Sequence, residues 1–308
     1  MLVGGGNLNQ GKGKEAKLMT SIMRKKLSET QHLILHNAAF YVLALLMAIG
    51  LKYHYSRAGS DSLGWILRPT AGLVGHVSNF HFEKEAGTGF VNYEQYVIIA
   101  PSCAGVNFLI IAFCMTFFSF LQCFNSTRAK ALWLGASLLS SYFLTILVNS
   151  IRIMVSIYLY DTDIYCGWVT PASLHRIEGT IIYFLFLCLF YLLVRKAISL
   201  YKCTSADKET KVQVKNVKDL NAINRNFAGL VPLCWYLLVA LVVPLLNDAH
   251  QKNEAQFFEH LLVVVSVCLL VFLFVLLIQL CWQGLRGSIK RLKMYNTLRF
   301  LRHVPPLA

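Results

Sequence analysis

Long apolar segments separated by short polar segments dominate the pattern along the chain. Because lipid offers the backbone no hydrogen-bond partners, a spanning segment must satisfy its own polar groups, as a helix does. The short alternating strands typical of a barrel are absent from the pattern. An all-α, polytopic integral membrane bundle of about six transmembrane helices is therefore predicted. The apolar segments, each near the roughly 20 residues that a spanning helix needs, are 36–53, 97–121, 131–151, 175–194, 229–247 and 259–282.

The composition agrees with a membrane protein. The 308 residues are 56% hydrophobic and only 14% charged, whereas a soluble domain carries about a quarter charged residues. A formal net charge of +14 would suggest nucleic acid as the partner of a soluble protein. No basic stripe interleaved with aromatics supports that interpretation. We therefore expect membrane lipid, and no nucleic acid, as a partner.

The basic residues also predict an orientation. With the N-terminus inside, 22 of the 29 Lys and Arg residues lie in the N-terminal tail, 122–130, 195–226 and the C-terminal tail. By the positive-inside rule both termini are then cytoplasmic. The segments 54–96, 152–174 and 248–258 would face outwards, which for a chain in the cytoplasmic (inner) membrane means the periplasm or exterior.

The same pattern divides the chain into four parts. Residues 1–32 are predicted to be a basic, disordered cytoplasmic tail, and they lack the apolar centre of a cleavable signal peptide. A four-span core over 33–195 is followed by a charged cytoplasmic linker, 196–228, and a two-span part with a basic tail, 229–308. The stretch 64–80 contains an arginine, a proline and three glycines, so we expect it to be interfacial or re-entrant.

Three polar residues on successive spans share the predicted outer boundary. Cys103 follows Pro101, which suits the first turn of a helix, so the thiol is expected about two turns below the outer surface. A lone cysteine in such a place is more often core filler. Beside a cation and a base it would instead be an activated nucleophile. Gly105 would allow close approach of a substrate, and Asn107 would donate to an oxyanion.

Inserting an arginine such as Arg152 into the membrane within an apolar segment costs roughly 2.5–3.5 kcal/mol of free energy at the bilayer centre and less near the interface. The simplest interpretation is that its head group reaches lipid phosphates. The apolar run continues past it to Tyr160, which weakens that interpretation. Alternatively, the guanidinium stabilises a thiolate or a developing oxyanion, with Asn149 on the same helical face.

His175 begins the fourth span. It is either a solvated interfacial histidine or the general base and acid, because an ordinary pKa near 6.5 suits proton exchange with a thiol and an amine. Gly179 lies one turn deeper and would let a helix or a substrate backbone approach.

The remaining cysteines do not suggest a metal site. None of the nine forms a CxxC or Cys/His spacing typical of zinc, so no metal or organic cofactor is expected. Cys114 and Cys188 lie deeper, without polar neighbours, and are interpreted as core residues. Cys166 in the outer loop is a disulfide partner or a bystander. The cysteines within or beside apolar segments are Cys103, Cys114, Cys188, Cys234, Cys268 and Cys281.

The motifs "PSCAGVNF", "NSIRI" and "LHRIEGTIIYF", in this order on three spans, resemble the exosortase/archaeosortase family of membrane cysteine enzymes. The resemblance covers about residues 36–195, and "CAGVNF" with the four-span core is similar to the exosortase K branch. Two features depart from the commoner members: fewer spans precede the cysteine span, and residues 229–282 add two spans without an assignable motif.

The resemblance implies a cysteine transpeptidase or protease. Its substrate would be the C-terminal sorting signal of an exported protein, made of a short motif, a transmembrane helix and a basic tail. Cys103 would attack the peptide carbonyl, His175 would act as general acid and base, and Arg152 would stabilise the thiolate or oxyanion. An amine or water would then resolve the thioester.

Two alternatives remain open from the sequence. A non-enzymatic transport or assembly subunit would favour polar residues near the bilayer midplane, whereas these lie at the predicted outer boundary. A thiol acyltransferase would use the same residues on another substrate, and a trapped acyl-enzyme would distinguish it by mass.

The predicted topology is testable by thiol labelling. A membrane-impermeant reagent added to sealed cells should modify Cys103, unless bound substrate protects it, and should leave Cys203 in the cytoplasmic linker unmodified. The measurement is the mass of each labelled peptide. The reverse labelling pattern would invert the orientation and place Cys103 on the wrong face for exported substrates.

Overall fold

The computed structural model describes residues 37–161, 171–206, 230–242, 258 and 261–277. Its helices and strands are numbered here in chain order. The helices are α1 Asn37–Arg57, α2 Gly64–Ser78, α3 Val106–Phe120, α4 Thr127–Asp161, α5 Pro171–Ala206, α6 Leu230–Leu237 and α7 Leu261–Leu277, and the strands are β1 Glu83–Glu85, β2 Gly89–Asn92 and β3 Val97–Ile99.

The fold is mostly helical, and four of its helices are long and apolar enough to cross a membrane. These are α1, α4, α5 and a segment that extends α3 to Pro101–Cys123. The predicted class, a helical membrane protein, is confirmed at this level. Helices α6 and α7 are shorter within the described residues, so six spans and the orientation stay predictions. The N-terminal tail, Cys166 and the C-terminal basic tail lie outside the described residues.

Helix α3 is the central helix of the bundle. In its most apolar window 78% of the residues are buried, compared with 11% in α1. One face of α3 packs into a core shared with α1, α2 and α4. The other face packs into a core shared with α5, α6 and α7. The segment that carries Cys103 therefore leads directly into the best-buried helix.

Helix α2 covers most of the segment 64–80, whose interfacial or re-entrant position stays a prediction. This segment is a regular helix of 15 residues that contains Pro69 and packs against α4. Proline has no N–H, so the carbonyl four residues earlier loses its helical partner. That carbonyl belongs to Trp65, and the Tyr142 hydroxyl of α4 donates to it at 2.8 Å. The helix thus tolerates its proline because a neighbouring helix supplies the missing donor.

A small antiparallel sheet precedes α3 and was not predicted. Strand β2 pairs with β1 and with β3, for example Phe90 with Ile99, and all four β2 residues are buried. Lys84 Nζ lies 2.6 Å from Asp61 Oδ1, and this hydrogen bond and charge hold the pKa of the Asp61 carboxyl below its usual value. The pair ties the sheet to the segment before α2.

Because of the sheet, the helix of the second span also starts later in the chain than predicted. Residues 97–99, expected to be helical, pair as a strand, and Pro101–Cys103 form a short 3₁₀ turn. Gly105 follows with a φ of 69°, a left-handed conformation that glycine adopts without strain. Helix α3 begins only after it. Cys103 therefore lies on the turn before the helix and not two turns inside it, while its depth below the outer surface stays a prediction.

The helix of the fourth span does not end at residue 195, where the sequence predicts the boundary between core and linker; the division into these parts stays a prediction. Helix α5 continues to Ala206, well into the predicted linker 196–228. Helix α6 packs against both α3 and α5. The C-terminal part therefore shares a core with the four-span part.

The donor to the Trp65 carbonyl provides a test of this packing. Tyr142→Phe should destabilise the protein by about 1 kcal/mol, the usual net value of one hydrogen bond. In a Pro69→Ala background residue 69 has its own N–H, so the same change should cost less than half as much. SDS-induced unfolding of the purified protein in micelles measures both. Equal costs in the two backgrounds would contradict this account.

Candidate active site

Polar side chains of four helices meet at one end of the bundle. Lys52 Nζ near the end of α1 donates to Asn107 Oδ1 in the first turn of α3 at 2.8 Å. A cavity of about 330 Å³ opens beside this pair, and Arg152 of α4 and His175 of α5 also line it. The basic residues on the lining give the cavity a positive character.

Cys103 lies beside this cavity. Its neighbours Ser102 and Gly105 belong to the lining formed by the described residues, whereas Cys103 does not. The residue is partly exposed, and its side chain packs against the core between α3 and α4. Asn149 Nδ2 donates to the Cys103 carbonyl, so α4 anchors the backbone of the turn that carries the thiol.

Tyr183 connects this anchor to Arg152. The Tyr183 hydroxyl donates to Asn149 Oδ1 at 2.8 Å and accepts from Arg152 Nη1 at 3.1 Å. Its ring stacks on Phe108 of α3, with centroids 4.9 Å apart, and the guanidinium carbon lies 5.3 Å from the ring centroid. One hydrogen-bonded chain therefore runs from the Cys103 backbone to the arginine.

Two glycines make room for this chain. A Cβ on Gly105 would lie 3.3 Å from the Asn149 amide carbon and 3.4 Å from the Tyr183 hydroxyl. A Cβ on Gly179 would lie 2.9 Å from Arg152 Nε. The two positions were predicted to admit a substrate or another helix. Both do line the cavity, but the closest atoms belong to the protein's own side chains: Thr145 Cγ2, 3.2 Å away, at Gly105 and Arg152 Nε at Gly179.

His175 is held from both sides of its ring. Arg152 Nη2 lies 2.6 Å from Nε2, and Ser156 Oγ lies 3.0 Å from Nδ1. A guanidinium can only donate, so Nε2 must be the acceptor and Nδ1 must carry the proton. Nδ1–H then donates to Ser156, whose hydroxyl donates to Glu178 Oε2 at 2.6 Å. The ring is a neutral imidazole in this arrangement.

Arg152 and His175, two of the three predicted catalytic residues, are thus in direct contact, and Cys103 is joined to them through Asn149 and Tyr183. Asn107, predicted to donate to an oxyanion, lines the cavity but accepts from Lys52 through its side-chain oxygen. Asn149 faces the Cys103 backbone. Cys114 and Cys188 are buried in the two cores, as predicted.

Four residues of the site were not singled out from the sequence: Lys52, Ser156, Glu178 and Tyr183. Glu178 had a visible signal, because it is an acidic residue in an apolar segment and follows His175 by three positions, on one helical face. Ser156 follows Arg152 by four positions. Tyr183 had no signal, since aromatic residues are common in such segments.

The C-terminal helices form one wall of the cavity. Tyr236 of α6, Val239 and Ala240 of the following π-helical turn, and Val264 of α7 line it. Single π turns occur often at functional sites. This wall is uncharged and faces the basic residues of α1, α4 and α5.

No group of three or more His, Cys, Asp or Glu side chains that could hold a metal ion occurs among the residues that the structure describes. Comparisons with models of known families, with curated proteins and with solved structures found no match. The family resemblance therefore depends on the three motifs alone.

Gly179 gives a test of how tightly this site is packed. Gly179→Ala should displace the Arg152 side chain and destabilise the protein by roughly 1–3 kcal/mol, the usual cost of overpacking. Gly135→Ala on α4 is the matched control, because nothing lies within 4 Å of the Cβ that it adds. Unfolding in SDS compares the two. Equal stabilities would show that Arg152 is free to move away from α5.

Proposed function

We propose that the chain is a membrane-embedded cysteine transpeptidase or protease that cleaves the C-terminal sorting signal of exported proteins at the outer face of the membrane. The observation that carries the proposal is the contact of Arg152 with His175, combined with the hydrogen bonds from Arg152 through Tyr183 and Asn149 to the Cys103 backbone. A cation and a base on two helices, and the backbone of the turn that carries the thiol, are held in one network.

In the proposed reaction, His175 takes the proton of the Cys103 thiol and the sulfur attacks the peptide carbonyl. The tetrahedral intermediate then collapses to a thioester, and His175 returns the proton to the leaving amine. An amine or water then gives a proton to His175 and attacks the thioester; the new bond to the carbonyl carbon forms, the carbon–sulfur bond breaks, and His175 passes that proton to the sulfur, which regenerates the thiol. No cofactor takes part in these steps.

Arg152 would change partner during the cycle. In the free protein its Nη2 occupies the lone pair of His175 Nε2, which is the atom that must accept the proton. A developing thiolate or oxyanion attracts the guanidinium more strongly than a neutral imidazole does. Movement of Arg152 towards that charge would release Nε2 at the moment it is needed.

The start of α3 would add to the stabilisation of negative charge. Gly105 caps the helix without a side-chain hydrogen bond, and the first N–H groups of any α-helix lack partners within the helix. The residues that carry them, Val106, Asn107 and Phe108, line the cavity. A helix N-terminus favours an anion there.

The place of the site fits the proposed substrate. A sorting signal with a membrane helix presents its motif at the membrane surface, and the polar residues here lie at the helix ends. A transporter would favour polar groups near the midplane. The uncharged wall of α6 and α7 would receive the apolar part of the substrate.

Substitutions separate the proposed roles. Cys103→Ala should abolish processing of a co-expressed exported protein that ends in a motif, an apolar helix and a basic tail. Arg152→Lys keeps the charge but loses the planar donor array, so processing should fall by at least roughly tenfold. The readout is the mass of the exported protein and of a trapped thioester on Cys103.

Cys114→Ala and Cys188→Ala are the matched controls, because both thiols are buried in the cores. Both variants should retain processing in proportion to their expression. Full processing by Cys103→Ala would remove the nucleophile and with it the proposed function.

A further inference from the structure

Ser156, which is partly buried, and Glu178, which is buried, form a polar pair behind His175 that the proposed reaction does not use. Glu178 is only 6% exposed, and its Oε2 accepts from Ser156 at 2.6 Å and lies 3.6 Å from His175 Nδ1. A buried carboxylate is costly unless charge and hydrogen bonds compensate it. The presence of the Glu178 carboxylate here therefore points to a role that involves Ser156 and His175.

The hydrogen bonds around His175 all run in the same donor-to-acceptor direction, from Arg152 towards Glu178. Arg152 donates to Nε2, Nδ1–H donates to Ser156, and Ser156 donates to the carboxylate. Because an ionised carboxylate can only accept and a guanidinium can only donate, both ends of the chain are fixed. The hydroxyl between them must then accept from the imidazole. This polarity leaves His175 a single neutral tautomer.

The carboxylate also balances the charge on Arg152. Arg152 interacts electrostatically with Glu178, and Arg152 Nε is buried without a hydrogen-bond partner in the described structure. Among the residues that the structure describes, Lys52 and Arg176 are the other charged residues that line the cavity. Glu178 is the acidic group closest to His175 among the described residues. It therefore offsets a concentration of positive charge that would oppose a protonated His175.

We propose that Ser156 and Glu178 are positioning residues that hold His175 as the Nδ1–H tautomer and present its Nε2 to the reacting atoms. The arrangement follows the general logic in which a third group orients a catalytic imidazole, here with a serine hydroxyl between carboxylate and ring. The inference rests on the proposed function in that it takes His175 as the base.

The tautomer can be measured without any substrate. The full chain, labelled with nitrogen-15 histidine and placed in lipid nanodiscs, contains nine histidines, and His175→Gln identifies the signals of His175 by their loss. In the wild type, Nδ1 should be protonated and Nε2 should not. The double variant Ser156→Ala/Glu178→Gln removes the hydroxyl and the carboxylate, so the half-exposed ring is held by the Arg152 donor alone. The ring is then able to turn away from that donor, and the Nδ1–H population should fall by half or more.

Two single variants and one control allow the same test if the double variant folds poorly. Ser156→Thr retains the hydroxyl and should retain the tautomer, whereas Ser156→Ala should lose part of it. Ser140→Ala on the same helix removes a hydroxyl that bonds only its own helix, to the Ser137 carbonyl, and should change nothing. An unchanged His175 tautomer in Ser156→Ala and in the double variant would overturn the inference.

The reactivity of Cys103 separates this inference from the proposed function. Alkylation of Cys103 by iodoacetamide at pH 7 should slow by roughly tenfold in His175→Gln and by a similar factor in the double variant, because the base is absent or wrongly oriented. If His175→Gln leaves the rate unchanged while the tautomer responds as expected, the positioning roles hold and the nucleophile–base pair fails. If the alkylation rate depends on His175 but the His175 tautomer does not change when Ser156 and Glu178 are replaced, the proposed function holds and this inference fails.

Discussion

The site depends on keeping the Arg152 guanidinium charged near one end of an apolar helix. A cation in that environment is costly unless hydrogen bonds and opposite charge surround it. Tyr183, His175 and Glu178 of α5 provide these, so the arginine draws α4 and α5 together. Gly179 is the point on α5 where the side chain has room to lie. Once these two helices are joined, the places of the remaining site residues follow.

A second consequence of the Arg152 interactions concerns the position of the Cys103 thiol. Cys103 lies on a short turn, which by itself would be poorly fixed, but Asn149 and Tyr183 connect its carbonyl to Arg152. The turn is also continuous with α3, the best-buried of the four long apolar helices. The thiol is therefore supported by a polar network on one side and by a rigid apolar helix on the other. Preorganisation of this kind lowers the cost of bringing a nucleophile to its target.

Two backbone irregularities in the described part of the bundle have an evident structural reason. The carbonyl left free by Pro69 accepts from Tyr142, and the left-handed conformation of Gly105 ends the turn and starts α3. In a low-dielectric setting an unsatisfied backbone group is expensive. The irregular positions therefore lie where another helix supplies a donor or where the chain must turn into the site.

The sequence by itself determined the helical membrane class and the approximate apolar segments, because hydropathy acts locally and is visible in one dimension. Isolated charges in apolar segments also singled out Arg152 and His175, which the structure brings into contact. The sequence did not predict the sheet before α3, the true extent of α5 or the contribution of Tyr183. Those depend on which side chains meet across helices: strand pairing outcompetes helix formation at 97–99 only because β2 lies alongside. The tertiary structure alone decided that the room at both glycines is filled by the protein's own side chains, since a sequence shows that a side chain is missing and not what occupies the space.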